Sequence, residues 1–398
     1  VTTPSSMSSP TLRALIDQGI AQGMPHRIRE GQRYFDRLDS WNWLNERCPG
    51  FFAADYWALE EKRRRAFEIM PSRVQLFSQA QTYRAVYTIS IETGALPGGQ
   101  AIRLFLPFPS ECAAQTNVSL LACSPGEMRA NLVPTLGYFY GYMAEAASGW
   151  SSFSYTCELT VKECNSTPET LGDRERRSYL ELEAGIEHSP EVCRFVQEIG
   201  KRGRDDESGM ERARAIYDHL LATKSFRKTK ERSQSLSNST LAVLRGDGGH
   251  CISLSRAFIV LCRAEGIPAR EKTGALIGYP VGGSRFSMAT YCEPLFGHAW
   301  TEIFVNGLGW LPVEFHSVVI GEGALSGGNV DDPQLANLIE ANTRRYRDYY
   351  FGAVDNLRLY CSASATRIPQ FVAYDAQMQS WKMPVDASYE CRLDVEVL

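Results

Sequence analysis

Apolar residues recur along the chain with two different periods, and the change between them marks its organisation. From Thr11 to about Met70, segments such as TLRALIDQGIAQG and DYWALEEKRRRAFEIM space apolar residues three and four apart with charges between them. That spacing puts them on one helical face and predicts a helical N-terminal region over residues 1–75. The period then falls to two. In TYRAVYTISIETG, Tyr83, Ala85, Tyr87, Ile89 and Ile91 alternate with more polar neighbours, and in FSYTCELTV Phe153, Tyr155, Cys157, Leu159 and Val161 do the same. Successive side chains of a strand point to opposite faces, so this alternation predicts half-buried strands. AIRLFLPFP and NVSLLACSP lie between them, each ended by proline. Short strands broken by turns predict a β-sandwich-like domain over 76–165.

Beyond the polar linker CNSTPETLGDRERRS, helical spacing returns in SPEVCRFVQEIG and GMERARAIYDHLLATKSF, opening a mixed domain over 180–398. In GDGGHCISLSRAFIVLCRAEGIPAR, Ile252, Ala257, Phe258, Leu261 and Cys262 share one stripe, while Gly266 and Pro268 end the helix. GHAWTEIFVNGLGWLPVEF reads as a hairpin turning near Asn306 and Gly307.

Composition narrows the function. A net charge of −4 gives no general attraction to nucleic acid or an anionic membrane, so neither is expected as a partner. The apolar stretch ANLVPTLGYFYGYMAEAASGW is broken by Pro134, Gly137, Gly141 and Glu145, too often for a membrane span. Eleven scattered cysteines without a C-x-x-C pair fit neither a disulfide scaffold nor a structural zinc site. With no basic and apolar leader in the opening residues, the expected location is cytoplasmic. The aromatic cluster Trp41, Trp43, Phe51, Phe52 and Trp57 is expected to pack on the next domain rather than line a ligand groove.

Cys251 stands out because it opens a helix, where unpaired N–H groups and the positive end of the dipole favour thiolate. Cys262, deeper in the same helix, is assigned to the core. Among the six histidines, His26, His188 and His219 are read as structural, and His250 as badly directed for a base because it adjoins the cysteine. His298 is the expected base. A two-residue turn at Asn306-Gly307 sets Ala299 opposite Glu314. A three-residue loop over 305–307 instead sets His298 directly opposite Glu314, with β-carbons about 5 Å apart. Glu302 shares the face of His298 but lies roughly 13 Å along the same strand.

The ordered motifs GHC, LCRAEGIPAR and GHAWTEIFVNGLGWLPVE resemble the transglutaminase-like superfamily of papain-type thiol enzymes, most clearly over about 251–314. The sixteen positions from His298 to Glu314 match the family's histidine-to-acid spacing, and YYFGAVDNLRL is similar to a family tail. The resemblance implies an α+β fold: a transglutaminase-like, papain-like core preceded by a β-sandwich-like domain and a helical N-terminal region. It also implies that Cys251 attacks an acyl carbon, His298 holds and returns the proton, and Glu314 orients the histidine. Glutamate here departs from the family's usual aspartate.

The expected chemistry is acyl transfer from a peptide, small amide or carrier-bound thioester through a Cys251 thioester to an amine, with no cofactor and no metal. Water as acceptor would make the chain a thiol peptidase or amidase, and a non-catalytic binding module is the remaining alternative. The segment GALIGYPVGGSRFSMATYCEPLFG is expected to be either a wall over the acyl-donor cleft or a surface excursion. Trp300 either shields the site from water or belongs to the core.

Overall fold

The structure, a computed structural model, describes residues 17, 19–24, 27–29, 32–34, 79–92, 102–124, 129–133, 138–143, 150–200, 209–226, 236–246, 248–277, 285–291, 298–315, 344, 347–361, 371–375, 380–382 and 389–398. Strands β1 (Arg27–Arg29) and β2 (Gln32–Tyr34) pair where helix was expected. Most of the expected helical region, including its aromatic cluster, lies outside the described residues.

The expected sandwich forms, from more of the chain than its own segment. Its strands are β3 (Gln81–Glu92), β4 (Ile102–Pro107), β5 (Gln115–Ser124), β6 (Arg129–Val133), β7 (Tyr138–Met143) and β8 (Trp150–Val161). The alternating residues of β3 and β8 face one core, with Tyr87 opposite Tyr155 and their rings 5.5 Å apart. Ile102, Leu104 and Leu106 of β4 enter the same core from the second sheet. Burying one face of each strand is what the period of two demands.

After the sandwich come helices α1 (Asp173–Ser178), α2 (Pro190–Gly200) and α3 (Gly209–Thr223), then the short strand β9 (Ser225–Phe226). Helix α4 (Leu236–Arg245), strand β10 (Gly248–Gly249) and helix α5 (Cys251–Ala264) follow. The remaining strands are β11 (Ala269–Leu276), β12 (Arg285–Tyr291), β13 (His298–Val305), β14 (Gly309–Val313), β15 (Arg358–Cys361), β16 (Phe371–Asp375), β17 (Ser380–Lys382) and β18 (Tyr389–Val397).

A four-stranded sheet in the order β14-β13-β11-β15 carries the mixed region. The two sandwich sheets run β12-β18-β3-β8-β5 and β17-β16-β4-β7-β6. Strands β12, β16, β17 and β18 thus leave the expected 180–398 domain and complete the sandwich, which corrects the division into consecutive segments. Antiparallel pairing needs matching faces, not adjacent sequence, and Tyr389, Cys391, Leu393 and Val395 supply an inward face against β3. The middle of the glycine-rich segment expected to be a cleft wall or surface excursion is β12, which lies along β18.

Helix α5 is buried on every side from Ser253 to Cys262, rather than along the single stripe its apolar residues outline. Its polar residues are satisfied locally: Arg256 pairs with Glu271 at 2.9 Å, and Ser255 Oγ donates to the Ala299 carbonyl at 3.3 Å. The helix ends where Gly266 and Pro268 predict. Gly266 takes φ +73°, the Ile267 N–H reaches back to the Cys262 carbonyl at 2.8 Å, and the Gly266 N–H to the Arg263 carbonyl. Among the described residues, no helix is long and apolar enough to cross a membrane.

Candidate active site

Cys251 is the first residue of α5, and the turn before it explains its placement. A side chain at Gly249 would overlap Ser253 Oγ, which donates to the His250 carbonyl at 3.1 Å and closes the first turn. His250 is the N-cap: its Nδ1 accepts from the N–H groups of Ile252 at 3.1 Å and Ser253 at 3.5 Å. An imidazole here does what Ser or Asp does at most helix starts, satisfying N–H groups that have no partner within the helix.

One turn further along, Ser255 ties the helix to β13. Its Oγ donates to the Ala299 carbonyl, and Thr301 Oγ1 donates to the Ser255 carbonyl, both at 3.3 Å. Positions four apart share a helix face, so these bonds also hold Cys251 beside the start of β13, where His298 stands. The rings of His298 and Trp300 lie 5.9 Å apart, close to parallel, and Trp300 is part of the buried core. Both expected roles of Trp300, core residue and cover, are therefore compatible with where it sits.

Glu314 reaches His298 through a register different from the expected one. Val305 pairs with Gly309, and the turn is Asn306, Gly307 and Leu308, with Gly307 at φ +83° and Gly309 at φ +84°. Continuing that register sets Trp300, not His298, opposite Glu314. The difference from the expected pairing is two residues, which preserves the face because side chains alternate with period two. Glu314 therefore approaches His298 diagonally, and Oε2 lies 2.6 Å from Nε2. Gly309 is needed here too, since a side chain would overlap the Thr167 carbonyl oxygen of the segment that bridges to Trp310.

The three side chains are secluded: Cys251 is 9% exposed, His298 7% and Glu314 0%. Burial by itself pushes the Cys251 thiol up. Hydrogen bonding from the His250 and His298 rings, with the charge of His298, overcomes it and brings the thiol down to about 6. For His298, burial favours the neutral ring, but the Glu314 charge and the bonds to Cys251 and Glu314 raise it to about 9. Both shifts favour a thiolate–imidazolium pair at neutral pH. Because Nε2 is taken by Glu314, Nδ1 is the ring nitrogen left for the thiol.

Two further residues contribute to the site. His250, set aside as a base because it adjoins the cysteine, caps the helix and contacts the thiol. Arg358 Nε donates to Glu314 Oε2 at 2.9 Å, the same oxygen that His298 uses. The fragment GHC displays His250 plainly. Arg358 sits in the tail YYFGAVDNLRL without any local pattern that would connect it to Glu314. Glu302 pairs with Arg270 at 2.7 Å and Lys272 at 3.6 Å, away from the site, as its distance along the strand suggests.

Comparison with known proteins finds likeness in structure and, over part of the chain, in sequence. A candidate cysteine protease from Cytophaga hutchinsonii is similar over 81% of this chain and 99% of its own, at 15% identity and a TM-score of 0.43. The periplasmic domain of TgpA from Pseudomonas aeruginosa is similar over 60% of this chain and 89% of its own, at 14% identity and a TM-score of 0.30. No curated protein matches. Residues 194–315 match the Transglutaminase-like superfamily. Cys251, His298 and Glu314 all fall within that span, so the chain carries its cysteine, histidine and acid on a transglutaminase-like superfamily domain.

Proposed function

We propose that this protein is a cysteine-dependent acyltransferase that takes an acyl group from an amide or thioester onto Cys251 and passes it to an amine. The observation that carries the reading is the buried thiol at a helix start, brought down to about 6 beside an imidazole whose other nitrogen is held by a carboxylate. A nucleophile, its base and the base's orienting group are the minimum set for covalent acyl chemistry.

In the first half-reaction the thiolate sulfur attacks the carbonyl carbon and a C–S bond forms. As the tetrahedral species collapses, the bond to the leaving group breaks and the His298 imidazolium gives that group its proton. Glu314 keeps the ring oriented throughout. In the second half-reaction an amine attacks the thioester carbon, returns a proton to His298 and releases the Cys251 thiolate. The oxyanion forms at the start of α5, where helix dipole and backbone N–H groups favour negative charge. The low exposure of Cys251 and His298 limits water at the thioester and supports an amine as acceptor.

The test is to incubate the full chain with a small aryl thioester and follow intact mass and peptide fragments. The expected result is one acyl group on Cys251, discharged faster when a primary amine is added, with the amine recovered as its amide. Discharge at a rate indifferent to amine would replace transfer with hydrolysis. A folded protein that gains no acyl group on Cys251 and reacts with iodoacetamide at pH 6 no faster there than at other cysteines would sink the enzyme reading in favour of a binding module.

A further inference from the structure

Glu314 is a fully buried carboxylate with two cationic neighbours on one oxygen. His298 Nε2 lies 2.6 Å from Oε2 and Arg358 Nε lies 2.9 Å from it. Arg358 is buried as well, and its second anchor is Asp355, with which its Nη1 forms an ion pair. Asp355 is held in turn. Its Oδ2 accepts from the Tyr350 hydroxyl at 2.6 Å and its Oδ1 from the Leu357 N–H at 3.0 Å. The Arg358 guanidinium also lies over the Tyr350 ring, 4.8 Å from its centre. From the reacting sulfur inward the charges alternate through thiolate, imidazolium, carboxylate, guanidinium and carboxylate.

The backbone is arranged to deliver this contact. Glu314 follows β14 and Arg358 opens β15, the two edge strands of the four-stranded sheet, and the segment before β15 crosses the end of that sheet. The crossing is fixed by backbone bonds: the Glu314 N–H donates to the Tyr350 carbonyl and the Gly352 N–H to the Pro312 carbonyl, both at 2.9 Å. Strand β15 approaches β11 closely because Gly274 has no side chain, since a Cβ there would overlap the Leu359 carbonyl oxygen. Leu276 pairs with Arg358, two positions beyond Gly274, which itself pairs with His298 on the other side.

We propose that Arg358 is a positioning residue of the reaction: anchored by Asp355, it fixes the Glu314 carboxylate so that Glu314 orients the His298 ring toward Cys251. A buried carboxylate with a histidine alone has one strong partner and freedom to rotate about it, or to take a proton. A second, planar and permanently charged donor on the same oxygen removes both freedoms. Arg358 touches neither thiol nor acyl group and acts only through Glu314. Among the described residues, the titratable and charged groups around the His298–Glu314 pair include Cys251 at the start of α5 and His250 that caps it, Tyr217 on α3, Tyr350 and Asp355 on the crossing segment, and Arg358 itself.

This inference rests on the acyltransfer reading, and the test separates the two. The full chain carrying ¹³C-labelled histidine is titrated by NMR, and Cys251 alkylation by iodoacetamide is timed at about pH 6, in wild type, Arg358→Met and Arg358→Lys. Selective alkylation in wild type supports the reading of Cys251 before any variant is considered. In Arg358→Met the His298 midpoint is expected to move downward by about one unit, as Glu314 without the guanidinium takes up a proton more readily, and Cys251 alkylation to slow about tenfold. Arg358→Lys, which keeps the charge, is expected to recover most of both. In a Glu314→Gln background, Arg358→Met should move neither readout further. A folded Arg358→Met protein with an unmoved His298 midpoint and wild-type alkylation would make Arg358 merely structural and overturn the proposal. If Arg358→Met does not fold, Asp355→Asn releases the anchor instead, and an unmoved midpoint there overturns it equally.

Discussion

Cys251 and Cys262 lie on one helix, eleven positions apart, which at 3.6 residues per turn returns them to nearly the same face. Both are buried. Burial pushes both thiols up, and at Cys262 nothing reverses it, so that thiol stays well above the ordinary range. At Cys251 two imidazoles reverse it, and the thiol falls to about 6. Residue type, helix face and seclusion are common to the two. The helix end and the strand packed against it are not, and these set the chemistry.

The largest effect expected from breaking this contrast is on activity. Cys251→Ala should lower acyl transfer by on the order of 10⁴-fold or more, because the nucleophile is one member of a unit that works together. Cys262→Ala should leave the rate of acyl-adduct formation within about twofold and cost about 1 kcal/mol of stability in urea unfolding. A comparable activity loss from Cys262→Ala in folded protein would show that the two ends of α5 are not separable.

The next effect sharpens the contrast through pH. Below about 6 the Cys251 thiolate takes up a proton and loses its nucleophilicity; above about 9 the His298 imidazolium loses the proton it must give to the leaving group. Acyl transfer should therefore rise with pH through about 6, hold, and fall through about 9, roughly tenfold per unit outside the window. Cys262 should alkylate at no pH in this range until the protein unfolds. A rate that climbs through pH 8 to 9, as for an ordinary thiol, would remove the ion pair.

How much of this was legible in the sequence follows the range over which each signal acts. Cys251 and His298 are legible because a helix start and a strand start are local patterns. Glu314 is legible in its residue type and face, while its register is not. The turn uses Asn306, Gly307 and Leu308, with positive φ at both Gly307 and Gly309, and Thr167, far off in sequence, lies against Gly309. The face was still right because the discrepancy is an even number of residues. Arg358 is not legible at all, since its meeting with Glu314 is made by a chain crossing the end of a sheet. The sandwich boundary failed for a similar reason: β18 alternates as clearly as β3, but nothing local says which sheet it joins.

The smallest expected effect concerns His250, and it separates two contributions that one substitution would confuse. As N-cap, the ring accepts from Ile252 and Ser253, and loss of such a cap costs about 1 kcal/mol. As a neighbour of Cys251, the ring helps bring the thiol down. Asparagine at this position offers a side-chain oxygen to the same N–H groups but no imidazole to the sulfur. His250→Asn should therefore keep stability within a few tenths of a kcal/mol, while Cys251 alkylation at pH 6 slows by about three- to tenfold as the thiolate fraction drops. His250→Ala should show that slowing together with the full loss of the cap. If alkylation slows in His250→Ala but not in His250→Asn, the ring serves the thiol only by holding the helix start in place. The difference between Cys251 and Cys262 would then rest on His298 and the chain of charges behind it.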